Sequence, residues 1–154
     1  LARHYGTVAV EEHARPLLDA KSGRCDEADI PLTARGQMAA EDALSLQAQR
    51  VLFCDTDLLT TTIWSDLLFG SCPSWIAAEA ERRRYDLYLL MDVDVPWVDD
   101  SQRYLPHRRR EFFDRCRSEL EKHRRPYVVI QGDWDARFAA ATAAVDRLLA
   151  TPAK

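Results

Sequence analysis

The segment 51-VLFCDTDLLTTTIWSD-66 passes from apolar to acidic at a single point. Val51 to Cys54 is a short apolar run of the kind buried on both faces of a parallel sheet. Asp55-Thr56-Asp57 follows at once, setting two carboxylates and a hydroxyl at the carboxyl end of the expected strand. Open α/β sheets bind their ligands at that end. A magnesium ion that takes phosphates among its ligands needs only one or two carboxylates from the protein. The same letters support a second reading, in which Asp57 caps a helix starting near Leu58 and Asp55 occupies the turn. Spacing alone leaves both open.

Strands and helices alternate on either side. Gly6 to Val10 (GTVAV) reads as a strand, and Glu11 to Ala20 as a helix that Pro16 is expected to kink or shorten. A polar loop with Ser22, Gly23, Asp26 and Asp29 runs to Pro31, and Thr33 is placed to cap a helix from about Ala34 to Gln49. The helix from about Leu58 to Leu68 is broken by Gly70-Ser71-Cys72-Pro73, and Ser74 to Arg84 reads as the next helix. Asp86 to Met91 (DLYLLM) is a second buried strand ending in acids, Asp92 and Asp94. Helix Arg110 to His123 follows a polar segment and is broken at Arg125-Pro126. Tyr127 to Ile130 (YVVI) is a third buried strand, and Gly132-Asp133 starts a helix from Trp134 to Ala150. This alternation predicts an α/β fold, a parallel sheet with helices on both faces, in one domain.

Composition narrows the classes. A net charge of −4 provides no field over the whole molecule that favours nucleic acid or an anionic membrane. Without a long apolar run or a signal-peptide pattern, the expectation is a soluble, cytoplasmic protein. Cys25, Cys54, Cys72 and Cys116 form no CxxC pair, which predicts reduced thiols. His4, His13, His107 and His123 are too scattered for a metal motif.

Candidate chemistry gathers at the expected strand ends. The polar segment from Pro96 leads through Asp99, Asp100 and Arg103 to Arg108, Arg109 and Arg110. Guanidinium forks match phosphate oxygens, so such a segment suits closure over a triphosphate; the plainer alternative is a solvated helix start with ion pairs to Asp99, Asp100 and Glu111. Glu11, Glu12 and Arg15 follow the first strand, where a carboxylate can take the proton of a substrate hydroxyl; an acidic first helical turn is the alternative. Trp64, Trp75, Trp97 and Trp134 are expected to be packing residues.

These residues together resemble the ribosylnicotinamide kinase domain of NadR-type proteins, a three-layer P-loop kinase fold. The resemblance rests on TVAVEEHAR (7–15), ARGQ (34–37), LFCDTDLLTTTIWSDLLFG (52–70), CPSWI (72–76), YDLYLLMDVDVPWVDDSQR (85–103) and GDWDAR (132–137). It implies phosphorylation of the 5′-hydroxyl of nicotinamide riboside by ATP with magnesium, giving nicotinamide mononucleotide for NAD synthesis. Asp55 and Asp57 then serve magnesium and the reacting hydroxyl. Glu12 and Arg15 match a Glu-Tyr-x-Arg substrate site in which His13 replaces the tyrosine, and Gln37 joins the substrate contacts. Asp99, Asp100 and Arg103, helped by Arg108, belong to a lid over the nucleotide, spanning about 96–110. Whether Glu12 or one of the paired aspartates is the general base stays open. Two other readings remain: a kinase for another nucleoside or small metabolite, and a non-catalytic nucleotide-binding module.

One departure is large. P-loop kinases carry GxxxxGK[ST], whose backbone N–H groups cradle phosphates and whose lysine and hydroxyl serve the phosphates and magnesium. The glycines here, Gly6, Gly23, Gly36, Gly70 and Gly132, are none of them followed by Lys and then Ser or Thr. The expectation is an incomplete domain whose first strand and P-loop lie upstream of Leu1. By the resemblance that strand is central, so its loss would leave two pairs of strands and a chain that is weak or inert alone.

Overall fold

The computed structural model describes residues 1–98 and 106–151. Its elements run α1 (Ala2–Tyr5), β1 (Ala9–Val10), α2 (Ala14–Ala20), α3 (Asp29–Ser45), β2 (Phe53–Cys54), α4 (Leu58–Phe69), α5 (Ser74–Arg82) and β3 (Tyr88–Met91). A 3-10 turn at Pro106–Arg108 then leads to α6 (Arg109–Lys122), β4 (Tyr127–Ile130) and α7 (Trp134–Ala150). The chain divides into two compact units, Ala2–Arg83 and Arg84–Val98 with 106–151.

In the first unit β1 and β2 pair in parallel, Ala9 opposite Phe53 and Val10 opposite Cys54. Thr7 secures the approach: its hydroxyl donates to the Val51 carbonyl at 2.8 Å and accepts from the Gln49 N–H at 2.9 Å. The core lies among helices, where Ile30 and Ala34 of α3, Leu58 of α4, and Ile76 and Ala80 of α5 exclude water together. Met38, Phe69 and Trp75 pack against that cluster. Helix α4 ends where Gly70 takes the left-handed conformation (φ 76°) that glycine adopts without a Cβ penalty, its N–H returning to the Asp66 carbonyl.

In the second unit β3 and β4 form a parallel pair over four residues, from Tyr88 opposite Tyr127 to Met91 opposite Ile130. Helix α6 packs against β3 and α7 against β4. The buried residues Phe113, Cys116 and Leu120, and likewise Ala141, Ala144 and Val145, recur at helical spacing, giving each helix one apolar face.

Several sequence expectations need correction. Helix α3 begins at Asp29, not Ala34, and Thr33 does not cap it. Pro31 lies in its first turn, where the N–H that proline lacks would have no intrahelical partner anyway. The same rule lets Pro16 sit in the first turn of α2, which starts at Ala14 and leaves Glu11 and Glu12 outside. β1 and β2 are two residues each, shorter than their apolar runs. Among the described residues the strands form two parallel pairs, the arrangement expected of such a sheet without its central strand. Trp134, expected in packing, is 78% exposed.

Candidate active site

The parallel register of β1 and β2 brings two of the sequence candidates to one edge. Val10 and Cys54 are partners, and the ladder continues one step as the Asp55 N–H donates to the Val10 carbonyl at 2.8 Å. The loop carrying Glu12 and His13, which leads into α2 with Arg15 in its first turn, and the Asp55-Thr56-Asp57 turn therefore leave the pair at the same carboxyl end. Arg15 Nε lies 3.2 Å from Glu12 Oε2, pairing the two residues before any ligand arrives.

The two aspartates have different surroundings. Asp55 is exposed, whereas Asp57 is 5% exposed and caps α4. Asp57 Oδ1 accepts from both the Thr60 N–H and the Thr60 hydroxyl, each at 2.8 Å. The capping reading is thus met in the structure, and it leaves Asp55 as the carboxylate turned to solvent. Between them Thr56 sits at φ 65°, a conformation that a β-branched residue adopts only under constraint. Below the turn, burial, followed by the charges of Glu41 and Asp57, pushes the Cys54 thiol up to about 12. That keeps it protonated and unsuited to nucleophilic work at neutral pH.

Gln37 is buried at 2% exposure in α3 and reaches both loops. Its Oε1 accepts from the His13 N–H at 3.4 Å, and its Nε2 donates to the Thr56 carbonyl at 3.4 Å and to Glu41 Oε1 at 3.1 Å. Glu41 is held in turn by Arg83 at 3.0 Å, and Arg83 also pairs with Asp42. Glu41 and Arg83 were invisible as site neighbours in the sequence, because they are separated by 42 positions and carry no motif. The His13 ring rests against Gly36, where a Cβ would overlap the imidazole.

The residues expected in a lid divide differently. Asp99, Asp100 and Arg103 lie outside the described residues. Arg108, in the second unit, is engaged with Glu111 through two hydrogen bonds of 2.6 Å. Arg109 donates to the carbonyls of Val93 and Val95, and Arg110 reaches Asp92 at 2.9 Å. Asp94 accepts from the Gly132 N–H and pairs with the buried Arg137, which also donates to the Asp92 and Gly132 carbonyls. The acids after β3, noticed in the sequence as strand-end residues, are therefore bound by arginines of α6 and α7.

Among the described residues no group of three or more His, Cys, Asp or Glu side chains is placed to hold a metal by itself. No helix among the described residues is long and apolar enough to cross a membrane.

Residues 1–137 match the AAA domain family, and the chain belongs to it. The trifunctional NAD biosynthesis/regulator protein NadR of Escherichia coli is 29% identical over 145 residues, which cover 90% of this chain and 35% of that protein. Its counterpart in Salmonella typhimurium is 28% identical over the same length and shares. The chain thus spans about a third of each of these relatives.

Proposed function

We propose that this chain supplies the acceptor side of an ATP-dependent kinase that phosphorylates the 5′-hydroxyl of nicotinamide riboside. The observation that carries the reading is the convergence of Glu12, Arg15, Asp55 and Asp57 at one end of the β1–β2 pair. Phosphoryl transfer depends chiefly on positioning and on stabilising charge, and a strand-end carboxylate cluster serves both. Asp55, exposed beside the capped Asp57, is the side chain free in direction to meet a hydroxyl or a hydrated cation. Asp55 and Asp57 would hold magnesium, which when bound neutralises charge on the transferring phosphate. Glu12, paired with Arg15, stands ready as an alternative proton acceptor, and Arg15 orients the nucleoside. Arg103 of the lid supplies positive charge to the phosphates, with Asp99, Asp100 and Arg108 shaping that segment.

The phosphate cradle of a P-loop is not among these 154 residues, so the assay compares two proteins. One is the chain itself, and the other is the chain extended at its N-terminus by a P-loop segment carrying GxxxxGK[ST]. The extended protein is expected to turn over nicotinamide riboside with MgATP and to lose at least about 100-fold in kcat on Asp55→Asn. Turnover unaffected by both Asp55→Asn and Asp57→Asn would remove the assigned roles. His13, its ring laid over Gly36, favours a second reading in which another nucleoside is preferred, and a nucleoside panel separates the two. Nucleotide binding without transfer to any acceptor would point instead to a non-catalytic module.

A further inference from the structure

We infer that Gln37 is a positioning residue that fixes the Asp55-Thr56-Asp57 turn against the loop bearing Glu12 and His13. This is a different task from the substrate contact that the family resemblance implies. At 2% exposure the carboxamide has both donors and its oxygen engaged inside the protein: His13 N–H above, Thr56 carbonyl and Glu41 below. A group so committed does not face a ligand. It joins the two loops that leave the ends of β1 and β2.

The turn needs such a restraint. Thr56 is held at φ 65°, and a β-branched residue persists there only where its surroundings over-determine it. One end of the turn is tied by the Asp55 N–H to the Val10 carbonyl, and the other by the Asp57 cap on Thr60. Gln37 holds the middle. Its amide is kept from rotating by Glu41, which Arg83 anchors from the end of α5. A chain of buried polar groups in a low-dielectric interior transmits that rigidity well. The neighbouring Gly36 admits the His13 ring beside α3, so the backbone N–H that Gln37 receives comes from a residue seated against the same helix.

Two measurements test this, and the first does not depend on catalysis. In the full chain, Gln37→Met keeps side-chain length and removes all three hydrogen bonds. Amide hydrogen exchange at His13 and across residues 55–60 is expected to speed up about 10-fold or more, with α7 unchanged. Unchanged exchange at those amides overturns the inference. A second variant guards against simple loss of folding. Glycine adopts φ 65° without steric cost, so in a Thr56→Gly background the effect of Gln37→Met on exchange is expected to shrink at least about threefold. An equal effect in both backgrounds overturns it.

The kinetic arm rests on the proposed kinase reading. With the extended protein, Gln37→Met is expected to lower kcat by about 10- to 100-fold while KM for the nucleoside stays within about threefold, as misplacement of reacting groups does. A raised KM with kcat intact would overturn positioning in favour of direct contact. Absence of nucleoside turnover in the unmodified extended protein counts against the kinase reading, and the exchange measurement still decides the role of Gln37.

Discussion

Replacing Asp57 by alanine and by asparagine separates its structural task from its chemical one. The side chain is 5% exposed, and one oxygen accepts from both the N–H and the hydroxyl of Thr60. Alanine removes the helix cap, at about 1–2 kcal/mol, and leaves a partly buried hydroxyl without its acceptor, at about 0.5–1 kcal/mol more. Asparagine presents an oxygen in the same place, so both bonds survive. What it loses is negative charge at the first turn of α4, about 0.3–1 kcal/mol. In calorimetric melts, Asp57→Ala should then lower the midpoint by roughly 4–10 °C and Asp57→Asn by no more than about 3 °C. Turnover of nicotinamide riboside by the extended protein should show a different order, with both variants reduced about 100-fold or more. Equal destabilisation by the two substitutions would refute the capping geometry. Full activity of Asp57→Asn would reduce Asp57 to a cap.

Three further outcomes follow from the same coordinates. Asp29, 5% exposed, is bound by the Lys21 ammonium and by the Asp26 N–H, which hold its carboxyl below the ordinary 3.8. Its stabilisation is complete above that value and is lost as the pH falls through the lower folded value. The melting gap between the protein and Asp29→Asn should therefore be constant from about pH 7 to 5 and close in acid below the ordinary value. The Cys54 thiol, raised to about 12, should resist a thiolate-selective reagent at about pH 8 in the native protein and react on unfolding; fast native labelling would contradict its burial. Ile76, fully buried in the helical core of the first unit, should cost about 2–5 kcal/mol as Ile76→Ala in urea titrations, whereas Leu46→Ala, 88% exposed, should change stability by less than about 0.5 kcal/mol.

Much of the second half of the chain was legible because its signals are local. Tyr127–Ile130 and Trp134–Ala150 fall where the apolar run and the Asp133 cap place them, and Asp133 accepts from the Ala136 N–H at 2.9 Å. Helix α4 is equally plain, with Asp57 at its start and Gly70 just past its end. Where a signal had two meanings, the reading failed. Pro31 looked like punctuation and proved to be first-turn proline, so α3 starts five residues before the expected Ala34. Trp134 looked like core because indole is large and apolar, yet it occupies the first, solvent-facing turn of α7.

The candidate site divides along the same line. The sequence by itself determined that Asp55 and Asp57 follow an apolar run, that Glu12 and Arg15 follow another, and that Asp57 can cap a helix. Each of those facts depends on neighbours a few residues apart. Only the tertiary structure decided that the two strand ends share one edge, that one oxygen of Asp57 binds Thr60 while Asp55 faces solvent, and that Gln37 spans the loops. Gln37 is 24 residues from His13 and 19 from Thr56. Contacts at that range leave no periodicity in the chain. They arise from how parallel pairing and helix packing bring distant backbone groups into one dry space, where each polar atom must find a partner.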